Sequence, residues 1–271
     1  MKLKDWFKTN STIFSDTDLR YLLKNFFTSN YFLLLEQETN IDPEKLIRLE
    51  EIKQAYVKGV PLAYILGKEE FLGWEFKVNN NVLIPRKETE LIAEKSIEII
   101  KNNCLKTILD LCCGSGNIAI SIKNTLGLGP IIFSSDLSIK ALNVAKLNKD
   151  LHKSDIHLIN SDLLKGFKYK SFDLIVSNPP YVETGFINES LKHEPDTALY
   201  AGKEGLFFIN RILNQAYLYL KDKSFLILEF GYKHKGWVEE FINKTKVYKI
   251  VEWIKDYSGH FRGVILRLEP E

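Results

Sequence analysis

The sequence predicts an α/β fold: a seven-stranded, mostly parallel sheet, preceded by a small N-terminal helical domain and a linking β-hairpin. Two observations favour this fold. From residue 88 onward, short apolar segments alternate with segments whose apolar residues recur at helical spacing, as in sheets whose strands are joined by crossover helices. The last two apolar segments are too close for a crossover, so we expect an antiparallel pair at one edge. The predicted strands are 107–111, 131–135, 156–160, 172–176, 224–230, 247–253 and 262–268.

Residues 1–68 are predicted to form the helical domain. Asp42 and Pro43 are typical of a helix start, and Gly59 with Pro61 ends the helix that they begin. Apolar residues recur at helical spacing within it: Leu46, Leu49, Ile52 and Tyr56. The aromatic and leucine-rich stretches 21–27 and 31–35 are expected to form the core of this domain, and a protein-binding surface is the alternative.

Residues 69–85 alternate in the manner of a β-hairpin linking the helical domain to a second domain at 86–271. The first arm contains Phe71, Trp74, Phe76 and Val78. Residues 79–81, three consecutive asparagines, are expected to form the turn, and residues 82–84 the second arm.

The first strand of the sheet runs into a glycine turn and a helix start. Glycine lets the backbone approach a ligand closely, and a helix N-terminus offers unpaired N–H groups. An ordinary strand-to-helix turn is the alternative. The turn is not followed by the Lys-Ser/Thr pair that is typical of a phosphate-binding loop, so we do not expect such a loop here. The turn residues are Cys112, Cys113, Gly114, Ser115 and Gly116.

The second strand ends at Asp136, twenty residues beyond Gly116. A carboxylate there is placed to accept hydrogen bonds from both ribose hydroxyls of a nucleotide-like cofactor. The following Ser138 is predicted to cap a helix. A ribose-bearing cofactor without a pyrophosphate is therefore expected, and S-adenosyl-L-methionine fits this description.

The fourth predicted strand is followed by a segment that presents hydrogen-bond acceptors suited to a planar NH2 group. Its residues are Asn178, Pro179, Pro180 and Tyr181. The nitrogen of an amide or an aromatic amine is a poor nucleophile because its lone pair is delocalised. A site that methylates such a nitrogen must accept hydrogen bonds from both of its N–H groups and direct the lone pair at the incoming methyl carbon. The Asn178 oxygen and the Pro179 carbonyl would accept them, and Tyr181 would supply a flat face. A proline-rich turn is the simpler alternative.

These motifs together resemble the bacterial release factor glutamine methyltransferases, a class I S-adenosylmethionine-dependent family, over nearly the whole chain. The resemblance includes the stretches 61–67, 70–73 and 82–90, where Lys87 replaces a proline of the family. It also includes Glu194-Pro195, Ala198-Leu199, Gly202, Gly205-Leu206 and the set Asp256, Gly259 and Arg262. It implies a Rossmann-like methyltransferase sheet.

The resemblance also implies roles for residues near the sheet edge. Asp162 is similar to the family residue near the adenine amino group of the cofactor, and Leu163 would lie beside the adenine ring. A role as a helix cap or turn residue explains Asp162 equally well. Asp110 would act through water on the cofactor's amino-acid end. Arg86 and Glu88 would organise the cofactor side, with an interdomain ion pair as the alternative. His193 and Glu194 would order the loop after Tyr181.

The family's reaction is one in-line methyl transfer to the side-chain amide nitrogen of glutamine in the Gly-Gly-Gln loop of a peptide chain release factor. Asn178 and Pro179 would bind the amide hydrogens and Tyr181 would pack on the amide plane. The helical domain would help to grip the factor. Two alternatives remain: an adenine or guanine amino-group methyltransferase on RNA or DNA, and a non-catalytic cofactor-binding subunit.

The composition of the chain limits the possible substrates, the cellular location and the metal content. A net charge of +2 argues against a dedicated nucleic-acid binder, and no direct nucleic-acid substrate is expected. Apolar runs are too short to span a bilayer and no secretory signal begins the sequence, so we expect a cytoplasmic protein and take a monomer as the default. The 3 cysteines form neither a disulfide framework nor a zinc cluster, and no metal is expected.

Overall fold

A computed structural model of the chain describes residues 1–27, 39–186 and 191–269, and these residues divide into two compact units. The first unit contains Met1–Gly67 and a short stretch that includes Lys192 and His193. The second begins at Lys68 and holds the rest of the described chain. No described helix has both the length and the apolar character that crossing a membrane requires.

The first unit is built from helices around one apolar core. They are α1 (Leu3–Asn10), α2 (Asp16–Phe27), α3 (Pro43–Val57) and α4 (Leu62–Leu66). The predicted start of α3 is confirmed, because the Asp42 carboxylate accepts hydrogen bonds from the backbone N–H groups of Glu44 and Lys45. Leu22 and Leu23 are fully buried in the core, as predicted for 21–27. The stretch 31–35 lies outside the described residues.

The second unit begins with a hairpin of β1 (Lys68–Phe71) and β2 (Trp74–Lys77), and the predicted strand pairing there is wrong. Phe71 pairs with Trp74 across a two-residue turn at Leu72 and Gly73, whose φ angles are 49° and 77°. Two central residues with positive φ match the right-handed twist of the strands. Residues 79–81 do not connect two strands, and 82–84 lie outside any strand.

The main sheet has seven strands in the order β5-β4-β3-β6-β7-β9-β8, which confirms the predicted α/β fold. The first five strands in this order pair in parallel, and β9 is antiparallel to both β7 and β8. The antiparallel edge pair predicted for the last two strands is therefore confirmed. The strands are β3 (Thr107–Leu111), β4 (Ile131–Asp136), β5 (Ile156–Asn160), β6 (Phe172–Ser177), β7 (Leu220–Glu229), β8 (Tyr248–Lys255) and β9 (Phe261–Leu268).

Helices cover both faces of the sheet because successive strand residues point to opposite sides. In β6, Leu174 and Val176 join one apolar cluster, and Ile175 joins the other. The helices of this unit are α5 (Lys87–Asn103), α6 (Asn117–Leu126), α7 (Ile139–Leu151), α8 (Asp196–Leu199), α9 (Phe207–Tyr219) and α10 (Lys235–Thr245). A 3₁₀ turn, Tyr232–His234, precedes α10.

Candidate active site

The carboxyl ends of the parallel strands border a cavity of about 350 Å³ in the second unit. The residues from the sequence prediction that line it are Cys112, Cys113, Gly114, Ser115, Asp136, Asp162, Leu163, Asn178 and Pro180. Gly116, Pro179 and Tyr181 do not line it. Residues from four separate segments of the chain thus meet at one edge of the sheet.

The glycine turn is fastened to strand β4 by backbone donors. The Cys113 N–H donates to the Ser135 carbonyl at 2.9 Å, and the Gly114 N–H donates to Oδ2 of Asp136 at 2.9 Å. Gly114 and Gly116 have φ angles of 52° and 78°. A Cβ on Gly116 would lie 3.3 Å from Cβ of Ala145, so this glycine allows α6 and α7 to pack closely and does not reach the cavity.

Asp136 both organises this turn and borders the cavity. Its Oδ1 accepts a hydrogen bond of 2.8 Å from the Ser138 N–H. Burial raises the pKa of Asp136, and the N–H groups of Ser138 and Gly114 oppose that rise by stabilising the charged form. Ser138 caps α7 as predicted, because its Oγ accepts from the Ala141 N–H.

The cysteines of the turn are not suited to nucleophilic chemistry. Burial raises the pKa values of Cys112 and Cys113 well above the usual range, so both thiols stay neutral. The described residues hold no group of three or more His, Cys, Asp or Glu side chains placed to bind a metal ion.

Asp110 lies in β3 but is fully buried and does not border the cavity. Its Oδ2 accepts hydrogen bonds from the Ala119 N–H at 3.2 Å and from the Ser134 hydroxyl at 3.3 Å. Burial raises the pKa of Asp110 to about 7. The position of this carboxyl therefore supports a structural role, in which it ties the first turn of α6 to the sheet.

Asp162 lines the cavity with its carboxylate already paired. Nη1 of Arg211 lies 3.1 Å from Oδ1, and Nζ of Lys165 lies 2.7 Å from Oδ2. These partners lower the pKa of Asp162. The Lys165 N–H also donates to the Asp162 carbonyl, so Asp162 forms a turn as well as lining the cavity.

Asn178 stands at the cavity with one side of its carboxamide fixed. Its Nδ2 donates to Oγ1 of Thr89 at 3.0 Å, and Thr89 lies in the first turn of α5. Oδ1 is therefore the part of this side chain that can accept hydrogen bonds at the cavity.

Tyr181 is held from several sides. Its hydroxyl donates to Oε1 of Glu229 at 3.1 Å, and its ring meets His234 edge-on at 6.3 Å between centroids. A Cβ added to Gly205 would lie only 2.3 Å from the Tyr181 carbonyl oxygen. Only a glycine at 205 permits this approach.

One wall of the cavity is formed by residues 82–86. Val82, Leu83, Pro85 and Arg86 line it, and the Arg86 guanidinium forms an ion pair with Glu194. The other Glu194 oxygen accepts from the Ile84 N–H at 3.1 Å. Arg86 and Glu194 both belong to the second unit, so the interdomain ion pair considered for Arg86 is wrong.

Sequence reasoning missed Thr89 and Glu229, which support Asn178 and Tyr181. Glu229 carried a readable signal, because it is the one polar residue in the otherwise apolar segment 225–230. It is the last residue of β7, as Asp136 is the last residue of β4. The only signal for Thr89 is its position within the stretch 82–90 that resembles the family. A threonine in the first turn of a helix is otherwise an ordinary surface residue until the fold places it at the sheet edge.

Comparison with known families agrees with this arrangement. The family model described as "Methyltransferase small domain" matches residues 89–226. The release factor glutamine methyltransferase of Clostridium botulinum is 37% identical over 244 residues, covering 87% of this chain and 86% of its own length. Those of Bacillus subtilis and Lactococcus lactis are 36% and 33% identical, covering 86% and 97% of this chain and 84% and 99% of their own lengths.

Solved structures share the fold at lower identity. The ribosomal protein L11 methylase of Lactobacillus delbrueckii subsp. bulgaricus has a TM-score of 0.52 and 20% identity, covering 71% of this chain and 84% of its own. A methyltransferase from Pyrococcus furiosus has a TM-score of 0.53 and 17% identity, covering 85% of this chain and 100% of its own. These similarities show a Rossmann-like methyltransferase fold.

Proposed function

Because the chain belongs to the release factor glutamine methyltransferases, we propose that it methylates the side-chain amide nitrogen of a glutamine in a peptide chain release factor. The target would be the glutamine of the Gly-Gly-Gln loop, and S-adenosyl-L-methionine would be the methyl donor. The fixed carboxamide of Asn178 at the cavity is the observation that carries this proposal.

The cavity suits S-adenosyl-L-methionine. The Asp136 carboxylate, at the end of β4, is available to ribose hydroxyls. A Cβ on Gly114 would meet no atom within 4 Å, so the turn leaves open space for a ligand. Leu163 and Ile118 offer apolar surface. The bound cofactor would supply an activated methyl group on its sulfonium.

The chain's own residues would orient the amide. Oδ1 of Asn178 and the carbonyl of Pro179 would accept the two amide hydrogens, which leaves the nitrogen lone pair facing the methyl group. Tyr181 would pack against the amide plane with its hydroxyl anchored on Glu229. Orientation and exclusion of water would account for the rate, with the product proton leaving to solvent.

We assign the parts of the chain accordingly. Residues 1–68 would help to hold the release factor, 69–85 would link the domains, and 86–271 would carry the chemistry. The protein would act as a cytoplasmic monomer.

The decisive experiment is methyl transfer from labelled S-adenosyl-L-methionine to purified release factor, to its Gln→Ala loop variant, and to cellular RNA and DNA in parallel. Label on the intact factor alone is expected. Label on nucleic acid alone would overturn the substrate and retain the chemistry, since an adenine amino group is also a planar NH2. No transfer to any substrate would favour a non-catalytic subunit.

A further inference from the structure

The glycine turn at 112–116 packs on one face of helix α7. Cys113 belongs to an apolar cluster that includes Ala145 of this helix. A Cβ on Gly116 would lie 3.3 Å from Cβ of Ala145, so the backbone of the turn approaches the helix closely. Asn148 follows Ala145 by three residues, on the same face, and is fully buried. This face of α7 therefore supports the turn that borders the cavity.

Asn148 joins the turn to the β1–β2 hairpin through three hydrogen bonds of its carboxamide. Oδ1 accepts from the Lys77 N–H at 2.7 Å, and Nδ2 donates to the Lys77 carbonyl at 3.0 Å. Nδ2 also donates to the Ser115 carbonyl at 2.9 Å. The reversed carboxamide would place its oxygen against two carbonyl oxygens, so the orientation of this side chain is fixed.

The hairpin itself stays outside the cavity. The structure describes all of its residues, 68–77, and none of them lines the cavity. It is fastened at a second point by His152, which follows the last residue of α7. Nε2 of His152 lies 2.7 Å from the Glu75 carbonyl oxygen, and its ring meets Trp74 edge-on at 5.5 Å between centroids. Asn148 is thus bonded to both the hairpin and the turn, whereas the His152 side chain is bonded to the hairpin.

We propose that Asn148 is a positioning residue for cofactor binding, which holds the Ser115 carbonyl and so keeps the glycine turn in the conformation that borders the cavity. Ser115 is 1% exposed, so without this partner its carbonyl must move towards water, and the cavity wall moves with it. The inference rests on the proposed function, because it takes S-adenosyl-L-methionine to be the ligand of the cavity. Asn148 acts through the turn and does not itself line the cavity.

Asn148→Asp tests this role, since it keeps the shape and an acceptor for the Lys77 N–H but places an oxygen against the Ser115 carbonyl. We expect the Kd for S-adenosyl-L-methionine, measured by calorimetry, to rise about tenfold, the effect of one lost hydrogen bond. Asn148→Ala, which introduces no repulsion, should change Kd in the same direction and replaces the aspartate variant if that one does not fold.

The control is Asn143→Asp, which adds the same charge at an exposed position of the same helix and should keep the wild-type Kd. For Asn148→Asp, kcat at saturating S-adenosyl-L-methionine should stay within about twofold of the wild-type value, because the methyl-accepting site is unchanged. A purely structural role would lower the number of sites that bind and leave their Kd unchanged. That result, or equal Kd values for the Asn148 and Asn143 variants, would overturn the proposal.

His152→Phe separates the turn from the hairpin. Phenylalanine keeps a ring against Trp74 but removes the hydrogen bond to Glu75, so it should loosen the hairpin and leave Kd within about twofold of the wild-type value. A rise in Kd as large as that of Asn148→Asp would mean that attachment of the hairpin, and not the bond to Ser115, controls binding, and the proposal would be wrong.

Hydrogen exchange measured by mass spectrometry tests the anchoring without any ligand. In free Asn148→Asp, peptides covering 74–77 and 113–117 should both exchange faster than in the wild type, and in Asn143→Asp neither should. Faster exchange of the hairpin peptide alone would contradict the role of Asn148. If the wild-type protein binds no S-adenosyl-L-methionine, the proposed cofactor is wrong, and the exchange rates still decide whether Asn148 holds the turn.

Discussion

At the residue scale, Asn178 is the residue that we propose binds the methyl-accepting group. Its Nδ2 is engaged by Thr89, which leaves one acceptor atom to interact with the methyl-accepting group. Asn178→Ala removes that acceptor and should lower kcat by about 100-fold or more, as loss of a preorganised polar contact does in other enzymes. Binding of S-adenosyl-L-methionine, measured by calorimetry, should be largely spared. Asn243→Ala, at an exposed position in α10, is the matched control; turnover of the Asn178 variant equal to that of the control would refute the role of Asn178.

Gly205 is a second residue whose identity the fold demands. Its φ is 70°, and an added Cβ would lie 2.3 Å from the Tyr181 carbonyl oxygen and 3.0 Å from Nε2 of His234. Gly205→Ala should therefore destabilise the protein by about 2–4 kcal/mol in urea unfolding and slow transfer by displacing Tyr181. Gly236→Ala is the control, since a Cβ there meets nothing within 4 Å, and it should be neutral or slightly stabilising. Similar behaviour of the two variants would contradict this prediction.

Single residues at the sheet edge could be predicted from the sequence where a polar residue ends an apolar strand. Asp136 and Asn178 fit that rule, and the structure brings both to the cavity. Asp110 follows a different rule: it lies within β3, where the pleat directs its side chain towards α6. Thr89 reaches the site through tertiary packing, and apart from its position in the stretch 82–90 that resembles the family, the local sequence gives no sign of that.

At the element scale, the strand bounds predicted from the apolar pattern agree with the structure to within two residues, except that β7 begins at 220 and not at 224. The hairpin was not predicted correctly. The asparagines at 79–81 are a strong turn signal, but Leu72 and Gly73 make the shorter connection with the required positive φ angles. Leucine is unusual in that conformation, so residue preference alone misplaced the turn.

The end of α5 offers a test of such local strain. Cys104 follows its last residue in the left-handed conformation, with φ of 53°, and its side chain is exposed. Glycine adopts this conformation without a Cβ penalty, so Cys104→Gly should raise the free energy of unfolding by about 0.5–1 kcal/mol. Cys104→Ala, which also removes the thiol but keeps Cβ, should give no gain. Equal stabilities of the two variants in urea would show that the backbone conformation is not the cause.

At the scale of the whole molecule, alternating apolar segments were enough to predict the sheet, because each strand must bury both faces beneath helices. The position of β9 between β7 and β8 depends on pairing between distant strands, which the apolar pattern does not encode. The same burial places two carboxyl groups, Asp110 and Glu229, inside the second unit, and burial raises the pKa of each to about 7.

These carboxyl groups should make folding stability fall with rising pH. A carboxyl whose pKa is raised by folding keeps its proton longer in the folded state, so the free energy of unfolding decreases from the unfolded pKa up to the folded one and is level above it. For Glu229 that window runs from its usual pKa of 4.5 to about 7. Burial lowers the pKa of His234, and its contribution has the opposite sign, rising with pH up to about 6.5.

A variant without the titratable group of Glu229 separates its contribution to the pH dependence of stability from those of Asp110 and His234. Because one pKa unit corresponds to about 1.4 kcal/mol, Glu229→Gln should gain on the order of 3 kcal/mol relative to the wild type between pH 4.5 and 7.5. Urea unfolding at half-unit pH steps measures this difference. A constant difference for Glu229→Gln would mean that folding does not shift the pKa of Glu229.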